Sequence, residues 1–454
     1  MTLPAGAPSA RSAAGGLVPG PAAPGRFSPV LVMDVELARP LPAVSFDGRG
    51  RRLFVTARLH TEPLGTCLLA LGPDGLAASD LAAALWPEVR EPVRKRFADA
   101  GLPPPALLTA AGLATGPGAW PFLEDRRRAL AAAPFVSVVI CTRDRPESLA
   151  TCLRCVGEQD YPRFEVLVVD NAPATEEVRA LVGAGLHRVP LRYVREPRPG
   201  LSWARNAGAA AASGEIIAYL DDDDEPDRHW LAGLAAGFSR GRDIGCVSGV
   251  VLPARLDTPA QEWFEELGGH SKGRGFSRAI FAAGGPQSPL FPLPPFGVGA
   301  NMAFRRDTLA AIGAFDVALG AGTPARAGED TLALTMVLLA GYRIAYEPAA
   351  LMRHHHRMDL DGLGDQMEGY GVGLTAYYAA LLRHRPGVLP ALLRLAPAAL
   401  GYLRGGGDGP AAPRTDLPAA LLRRQRRGML AGPLRYLRSM RTQARAALSA
   451  RQPP

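Results

Sequence analysis

Residues Tyr219 to Pro226 read YLDDDDEP, and the run before them, Gly214-Glu215-Ile216-Ile217-Ala218, has the length and flanks of a buried strand. Asp221 to Asp224 therefore sit where that strand ends. Four adjacent carboxylates repel one another, so positive charge is expected beside them. In an extended chain side chains alternate, which sends Asp221 and Asp223 one way and Asp222 and Asp224 the other. Two carboxylates at a strand end can then face one ligand. Hard divalent cations such as Mg²⁺ and Mn²⁺ choose oxygen donors of this kind, completed by substrate phosphates and water. A solvated acidic loop is the bland alternative. The strand in front of it favours a metal-phosphate site, because open α/β sheets bind ligands at the carboxyl ends of strands.

Outward from that stretch, strands and helices alternate. Val136 to Ile140, Glu165 to Val169, Leu191 to Val194 and Ile216 to Leu220 read as strands. Pro146 to Gln159, Thr175 to Ala184 and Ser202 to Ala212 read as the helices between them. The pattern predicts an α/β fold, a mostly parallel sheet with helices on both faces and right-handed crossovers. Three strands end in polar residues: Thr142-Arg143-Asp144, Asp170-Asn171 and the acidic strip. That convergence suits a nucleotide. Arg205 lies early in the helix that follows the Pro199-Gly200 turn, where free amides and a guanidinium make an anion site, with an exposed arginine as the alternative.

The flanks differ in texture. Residues 1–25 are rich in Ala, Gly, Pro and Ser and read as a disordered leader without a secretory signal. Residues 26–133 read as a small α+β domain, with strands at Val30 to Val35 and Arg52 to Leu59. A helix at Asp80 to Ala98 is interrupted in its pattern by Pro87 and Pro92. The boundary falls between Gly101 and Pro134, and residues 134–357 form the catalytic unit. Pro253 to Phe296 lacks a regular period and reads as acceptor-side loops. Residues 358–454 are helical, apolar and basic.

The composition is globular: 454 residues, 47% hydrophobic and 21% charged, with a net charge of +8 carried almost wholly by arginine. The five cysteines are odd in number, which predicts reduced thiols and a cytoplasmic location. Cys152 and Cys155 form a CxxC without a second pair, and packing explains it better than zinc. The most apolar late stretch, Gly387 to Leu403, contains Pro390, Arg394 and Pro397 and is too short for a membrane span.

VSVVICTRDRPESL, FEVLVVDNA, PGLSWARNAG, YLDDDDEP, GVGANMAFRR, GED and YEPAALMRH follow one another in the order and spacing seen in inverting family 2 glycosyltransferases of the GT-A fold. The chain resembles that family over Pro134 to His356. The resemblance implies a metal-dependent inverting hexosyltransferase that moves a sugar from a nucleotide-diphosphate sugar to an acceptor hydroxyl in cell-envelope or exopolysaccharide synthesis. By resemblance, Asp170 addresses the base or ribose, Asp221 the ribose or the metal shell, and Asp223 the metal. Asp222 or Asp224 shares that work in a register the sequence leaves open. Asp330 of the GED motif is implied as catalytic base, with helix capping as its alternative. Ala300-Asn301 are expected to line the sugar pocket. His354 stands where the family places a third metal ligand, with His356 in reserve, and an imidazole donor points to Mn²⁺ over Mg²⁺. Arg353 departs from the aromatic or aliphatic residue common before that histidine.

Thr142, Arg143, Asp144, Asp170, Arg205, Asp221, Asp222 and Asn301 are thus the candidate donor contacts, Asp330 the base, and Asp223 and His354 the metal ligands. A pyrophosphorylase would need a Gly-rich loop and a lysine after the first strand, and a dehydrogenase GxGxxG; CTRDRPESL has neither. An inactive carbohydrate-binding scaffold remains the reading from another class. From Arg404 onward eleven arginines meet only Asp408 and Asp416, and leucines interleave with them. That pairing predicts peripheral contact at the inner face of the membrane and a glycan or lipid-linked acceptor, with a solvated helical cap as the alternative. Nucleic acid is not expected, since no aromatic interleaving accompanies the charge.

Overall fold

The computed structural model describes residues 27–46, 48, 50–116, 120–184, 189–271, 273–283, 296–394, 397 and 419–449. The predicted leader, Arg404 to Asp416 and residues 284–295 of the acceptor-side loops lie outside them.

The first unit consists of β1 (Val30–Glu36), β2 (Arg52–Leu59), β3 (Glu62–Ala70) and α1 (Ala78–Asp99). β1 runs parallel and β3 antiparallel to β2. α1 is one continuous helix although it contains Pro87 and Pro92. Pro87 is exposed and Pro92 half-buried, so the carbonyls they free face water and the inner stripe of Leu81, Leu85, Val89, Val93 and Phe97 stays intact. α2 (Pro121–Ala132) sends Ala129 into the core of the next unit. In packing terms the first unit therefore ends at Trp120.

The second unit begins with the predicted alternation: β4 (Val136–Thr142), α3 (Pro146–Val156), β5 (Phe164–Asn171), α4 (Glu177–Gly183), β6 (Leu191–Glu196), α5 (Leu201–Ala211) and β7 (Ile216–Asp221). It continues through β8 (Asp224–Pro226), α6 (Trp230–Ser239), β9 (Ile244–Ser248), β10 (Val251–Pro253), α7 (Pro259–Glu266) and β11 (Ala279–Phe281). Then come β12 (Met302–Arg305), α8 (Arg306–Ala311), α9 (Glu329–Leu339), β13 (Arg343–Tyr346), β14 (Met352–His354) and α10 (Leu360–His384). The main sheet has the order β11-β13-β9-β12-β7-β4-β5-β6. Its β4, β5, β6 and β7 are mutually parallel, whereas β12 is antiparallel to both neighbours.

Alternation along the strands divides the interior in two. Val138, Ile140, Val166, Val168, Ala218 and Leu220 pack on one face with α3 and α6. Val139, Leu167, Val169, Ile217 and Tyr219 pack on the other with α5, α9 and α10. A helix lies over each face, as the sequence pattern requires.

A second, small sheet, β10-β14-β8, stands beyond the end of β7. The first unit is pinned to it and to its neighbours by ion pairs: Arg58 with Asp227 at 2.7 Å, Arg52 with Glu262, and Arg353 with Asp34. Arg353 also donates to Thr56 Oγ1 at 3.2 Å. The residue that departs from the family pattern is thus the one that ties β14 to the first unit.

The last helix, Ala419–Ser449, packs along α10, burying Leu421, Met429 and Tyr436. The approach is backbone to backbone. A Cβ on Gly432 would stand 1.9 Å from Thr375 Oγ1, and one on Gly428 2.3 Å from the Glu368 carbonyl oxygen.

Candidate functional site

The strand ends bring Thr142, Asp170 and Asp221 into one row, since Thr142 pairs in register with Asp170 and Cys141 with Asp221. The chain does not stay extended through the strip. It turns at Asp222-Asp223, and the Asp221 N–H donates to Asp224 Oδ2 at 2.9 Å. The expected two-by-two alternation is therefore replaced by a fan in which each carboxylate has its own surroundings.

Asp222 accepts from Thr142 Oγ1 at 2.7 Å and from Arg145 at 2.6 Å. Burial pushes its carboxyl up to about 7 against the pull of Arg145. Arg145 also donates to Asp223 at 2.9 Å. Burial works against ionisation of Asp223, yet its facing cations hold it below the usual carboxylate range. Of those, Arg145, in direct contact, and Arg357 are the permanent ones, because burial pushes His354 down to about 3 and leaves that imidazole neutral at pH 7. Arg145 is the positive group the strip required, and the sequence reading passed over it. Its signal was present: it is the N-cap of α3, directly ahead of Pro146 and at the end of the strand beside β7.

Arg143, two residues earlier, is exposed and pairs with Asp144 at 3.7 Å, while Asp144 accepts the Ala174 N–H. Asp170 is buried. One oxygen takes the Tyr193 hydroxyl at 2.9 Å, the other has no partner, and burial raises its pKa. Asn171 holds the Pro199-Gly200 turn by accepting from Gly200 N–H and donating to the Arg198 carbonyl.

Two expectations are corrected. Asn301 does not line a pocket: it is wholly buried, its amide nitrogen donates to the Val250 and Ala350 carbonyls, and its oxygen takes the Trp230 indole N–H. Every polar group it has is consumed inside the protein, where it joins β12 to α6 and to the chain before β14. Arg205 is neither exposed nor open to a diphosphate. At 2% exposed, it donates to Glu329 at 2.7 Å, to the Gly299 carbonyl at 3.3 Å and to Asp221 at 3.4 Å. Burial pushes Glu329 up to about 7 despite that partner.

Asp330 follows Glu329 in the first turn of α9. Its two oxygens accept the Thr331 N–H at 2.6 Å and the Gly299 N–H at 2.7 Å. The Gly299 peptide thus carries Arg205 on its carbonyl and Asp330 on its amide. A Cβ at Gly299 would stand 3.0 Å from Asp330 Oδ2 and 3.1 Å from the Arg205 guanidinium, so only glycine permits both contacts without a shift.

His354 reaches the strip because β14 pairs antiparallel with β8, in a register that sets His354 opposite Asp224. Asp223, Asp224 and His354 each present a ligand atom within 4.8 Å of the others. One Asp224 oxygen is buried with no hydrogen-bond partner, and burial raises its pKa well above the usual range. Two carboxylate oxygens and an imidazole nitrogen make a donor set that fits Mn²⁺ and tolerates Mg²⁺. Asp224, left open by the sequence, therefore joins Asp223 and His354 in the candidate ligand group, while Asp222 is held by Thr142 and Arg145.

Behind His354 runs a relay. His354 Nδ1 lies 2.9 Å from His356 Nδ1, and His356 Nε2 lies 2.7 Å from Glu265. A carboxylate accepts only, so His356 Nε2 donates to it. With His356 neutral, its Nδ1 then accepts from His354, which leaves the His354 Nε2 lone pair on the side of Asp223, 3.6 Å away. His270 stacks beside the two histidines, and the three form a second close group of nitrogen donors.

Residues 137–313 match glycosyl transferase family 2. The chain is 26% identical over 238 residues to a glucosyl-dolichyl phosphate glucuronosyltransferase of Haloferax volcanii, across 50% of this chain and 72% of the relative. It is 31% identical over 221 residues to the succinoglycan biosynthesis protein ExoM of Rhizobium meliloti, across 47% of this chain and 65% of the relative. A solved mannosyltransferase from Pyrobaculum calidifontis, in complex with GDP-Man and Mn²⁺, aligns over 70% of this chain and 93% of its own. That alignment has 23% identity and a TM-score of 0.42.

Proposed function

From the match of residues 137–313 to glycosyl transferase family 2 and the mostly parallel sheet beneath the site, we propose that the chain transfers a sugar from a nucleotide-diphosphate donor to an acceptor hydroxyl with inversion. The observation that carries this reading is the hydrogen-bonded chain from the Asp223-Asp224-His354 group to Asp330: Asp224 accepts from the Asp221 N–H, the Asp221 carboxylate from Arg205, and the Gly299 peptide joins Arg205 to Asp330.

In the reaction the acceptor oxygen bonds to the anomeric carbon as the bond from that carbon to the diphosphate oxygen breaks. The electron pair leaves on the diphosphate, and the acceptor proton passes to Asp330. Asp330 is oriented for this by the amides of Gly299 and Thr331, so position rather than unusual basicity does most of the work. Asp170, with one free oxygen at its strand end, receives the base or ribose. Asp223, Asp224 and His354 would hold a divalent cation, which when bound offsets the charge that builds on the diphosphate. Asp221, a third exposed and turned by Arg205, is left for the ribose or a metal-bound water.

The acceptor is read as a growing or lipid-linked glycan of the cell envelope, made on the cytoplasmic side. The matches to a dolichyl phosphate glucuronosyltransferase and to a succinoglycan biosynthesis protein support that class, and all five cysteines lie unpaired. The test is calorimetry with a panel of nucleotide sugars, with and without Mn²⁺, followed by assay of nucleoside diphosphate release. Donor binding that is unchanged in EDTA would sink the metal role. Binding without turnover on any hydroxyl acceptor would favour a carbohydrate-binding scaffold.

A further inference from the structure

We propose that the outward face of the Ala419–Ser449 helix is a docking surface for an anionic lipid bilayer. The helix contains no acidic residue. Its inner side meets α10 through Leu421, Met429 and Tyr436, and its lateral arginines are spent on α10 carboxylates, Arg424 on Asp365 and Arg435 on Glu368. The opposite side is different. Leu430, Leu434 and Leu437, at helical spacings that put them on one face, are 77%, 73% and 52% exposed.

Arginines extend the same face in both directions. Arg423 stands two turns before Leu430 and Arg441 two turns after Leu434, so both return to the leucine side. Arg426 and Arg427 flank the first end, Arg438 and Arg445 the second. All six are exposed, and none has an ion-pair partner among the described residues. A central apolar stripe with cationic ends, on a helix held flat against a folded domain, suits the headgroup plane, where leucines enter the acyl boundary and guanidiniums stay among phosphates. Among the described residues no helix is long and apolar enough to cross a membrane, so the contact is peripheral.

Other occupants fit less well. A second copy would set six arginines against six. A nucleic acid would use the arginines and leave the three leucines in water, with no aromatic side chain on the face for bases to stack on. The surface stands apart from the donor chemistry, and its test reads binding, so it can fail without touching the catalytic reading.

The experiment is co-sedimentation of the full chain with vesicles of phosphatidylcholine alone and with about one third phosphatidylglycerol, across a salt series. The variants are L430Q/L434Q/L437Q and R423Q/R427Q/R441Q, their folding checked by circular dichroism. The wild type should bind the anionic vesicles and release as salt rises. The arginine variant should lose about fivefold per side chain removed on anionic vesicles, and the leucine variant at least tenfold on either kind. Wild type left in the supernatant at low salt, or folded variants that bind like wild type, would overturn the proposal. So would a leucine-dependent dimer in light scattering, or duplex DNA that displaces the vesicles.

Discussion

Arg145 and Arg205 lie among the carboxylates at the strand ends, and each is bonded to two of them. Among the described residues, the six outward arginines of the last helix have no carboxylate partner. The side chain is the same; its surroundings decide what it does. Enclosed, a guanidinium fixes geometry, because five donors in a rigid fork leave its carboxylate partners few ways to sit. Exposed, it offers charge to whatever arrives. Substitutions inside should therefore change turnover or folding, and those outside should change only where the protein is found.

The sharpest way to break that contrast is at Asp330, the proposed base. Asp330→Asn should keep donor affinity and lose about 10²- to 10⁴-fold in turnover, the range of a lost general base. An Asp330→Asn enzyme with more than a tenth of wild-type turnover would remove Asp330 from the mechanism. NMR of the product anomer tests inversion in the same assay.

Next is Arg205→Met, which leaves Glu329 buried without its cation. It should cost about 3–5 kcal/mol in urea unfolding. Adding Glu329→Gln should recover part of the loss, because the ionisable carboxyl left without its cation goes with it. A single variant within 1 kcal/mol of wild type, about the ceiling for an exposed pair, would make Arg205 an ordinary surface residue despite its burial.

Smaller still is the relay behind His354. His356→Phe should weaken Mn²⁺ affinity about 10- to 100-fold, the range for lost partners of a metal-bound histidine. His356→Asn, which retains an acceptor, should lose less. Equal losses would point to packing against Phe264 and not to the tautomer.

The smallest effect is in pH. Glu329 has a folded pKa raised to about 7, above its ordinary value. A carboxyl shifted upward binds more protons folded than unfolded, so its contribution to stability is present at low pH and is lost as pH rises through about 7. Between about pH 6 and 8 the loss should be about 1 kcal/mol, and Glu329→Gln should flatten that part of the profile. A steeper wild-type fall that survives the substitution would assign the titration to Asp222.

Much of the fold was legible because strand and helix periods differ, and the β4 to β7 run has little else in it. The convergence of Thr142, Asp170 and the strip followed from strand ends alone. Three things were hidden. The turn at Asp222-Asp223 defeats a period-2 argument, which holds only where the chain stays extended. Asn301 looked like a pocket residue, yet a lone amide in GVGANMAF is equally the mark of a buried pin that meets an indole and two carbonyls. The partner of Glu329 lies 124 positions away, so no local pattern could show that Arg205 was already spoken for. Arg353, an apparent departure from the motif, made sense only once the first unit was seen to hold it through Asp34 and Thr56.

One peptide unit gathers these threads. The amide of Gly299 donates to Asp330 while its carbonyl accepts from Arg205, so the amide proton lies in the field of the base and its opposite pole in that of the guanidinium. When Asp330 takes a proton, that hydrogen bond loses its anionic partner and weakens. In a ¹⁵N-labelled sample the Gly299 resonance should shift upfield and exchange faster with deuterium at the moment the base is occupied. With Asp330 as the proposed base, the protein carries, where a Cβ would crowd both that carboxylate and Arg205, an indicator for the proton taken from the acceptor.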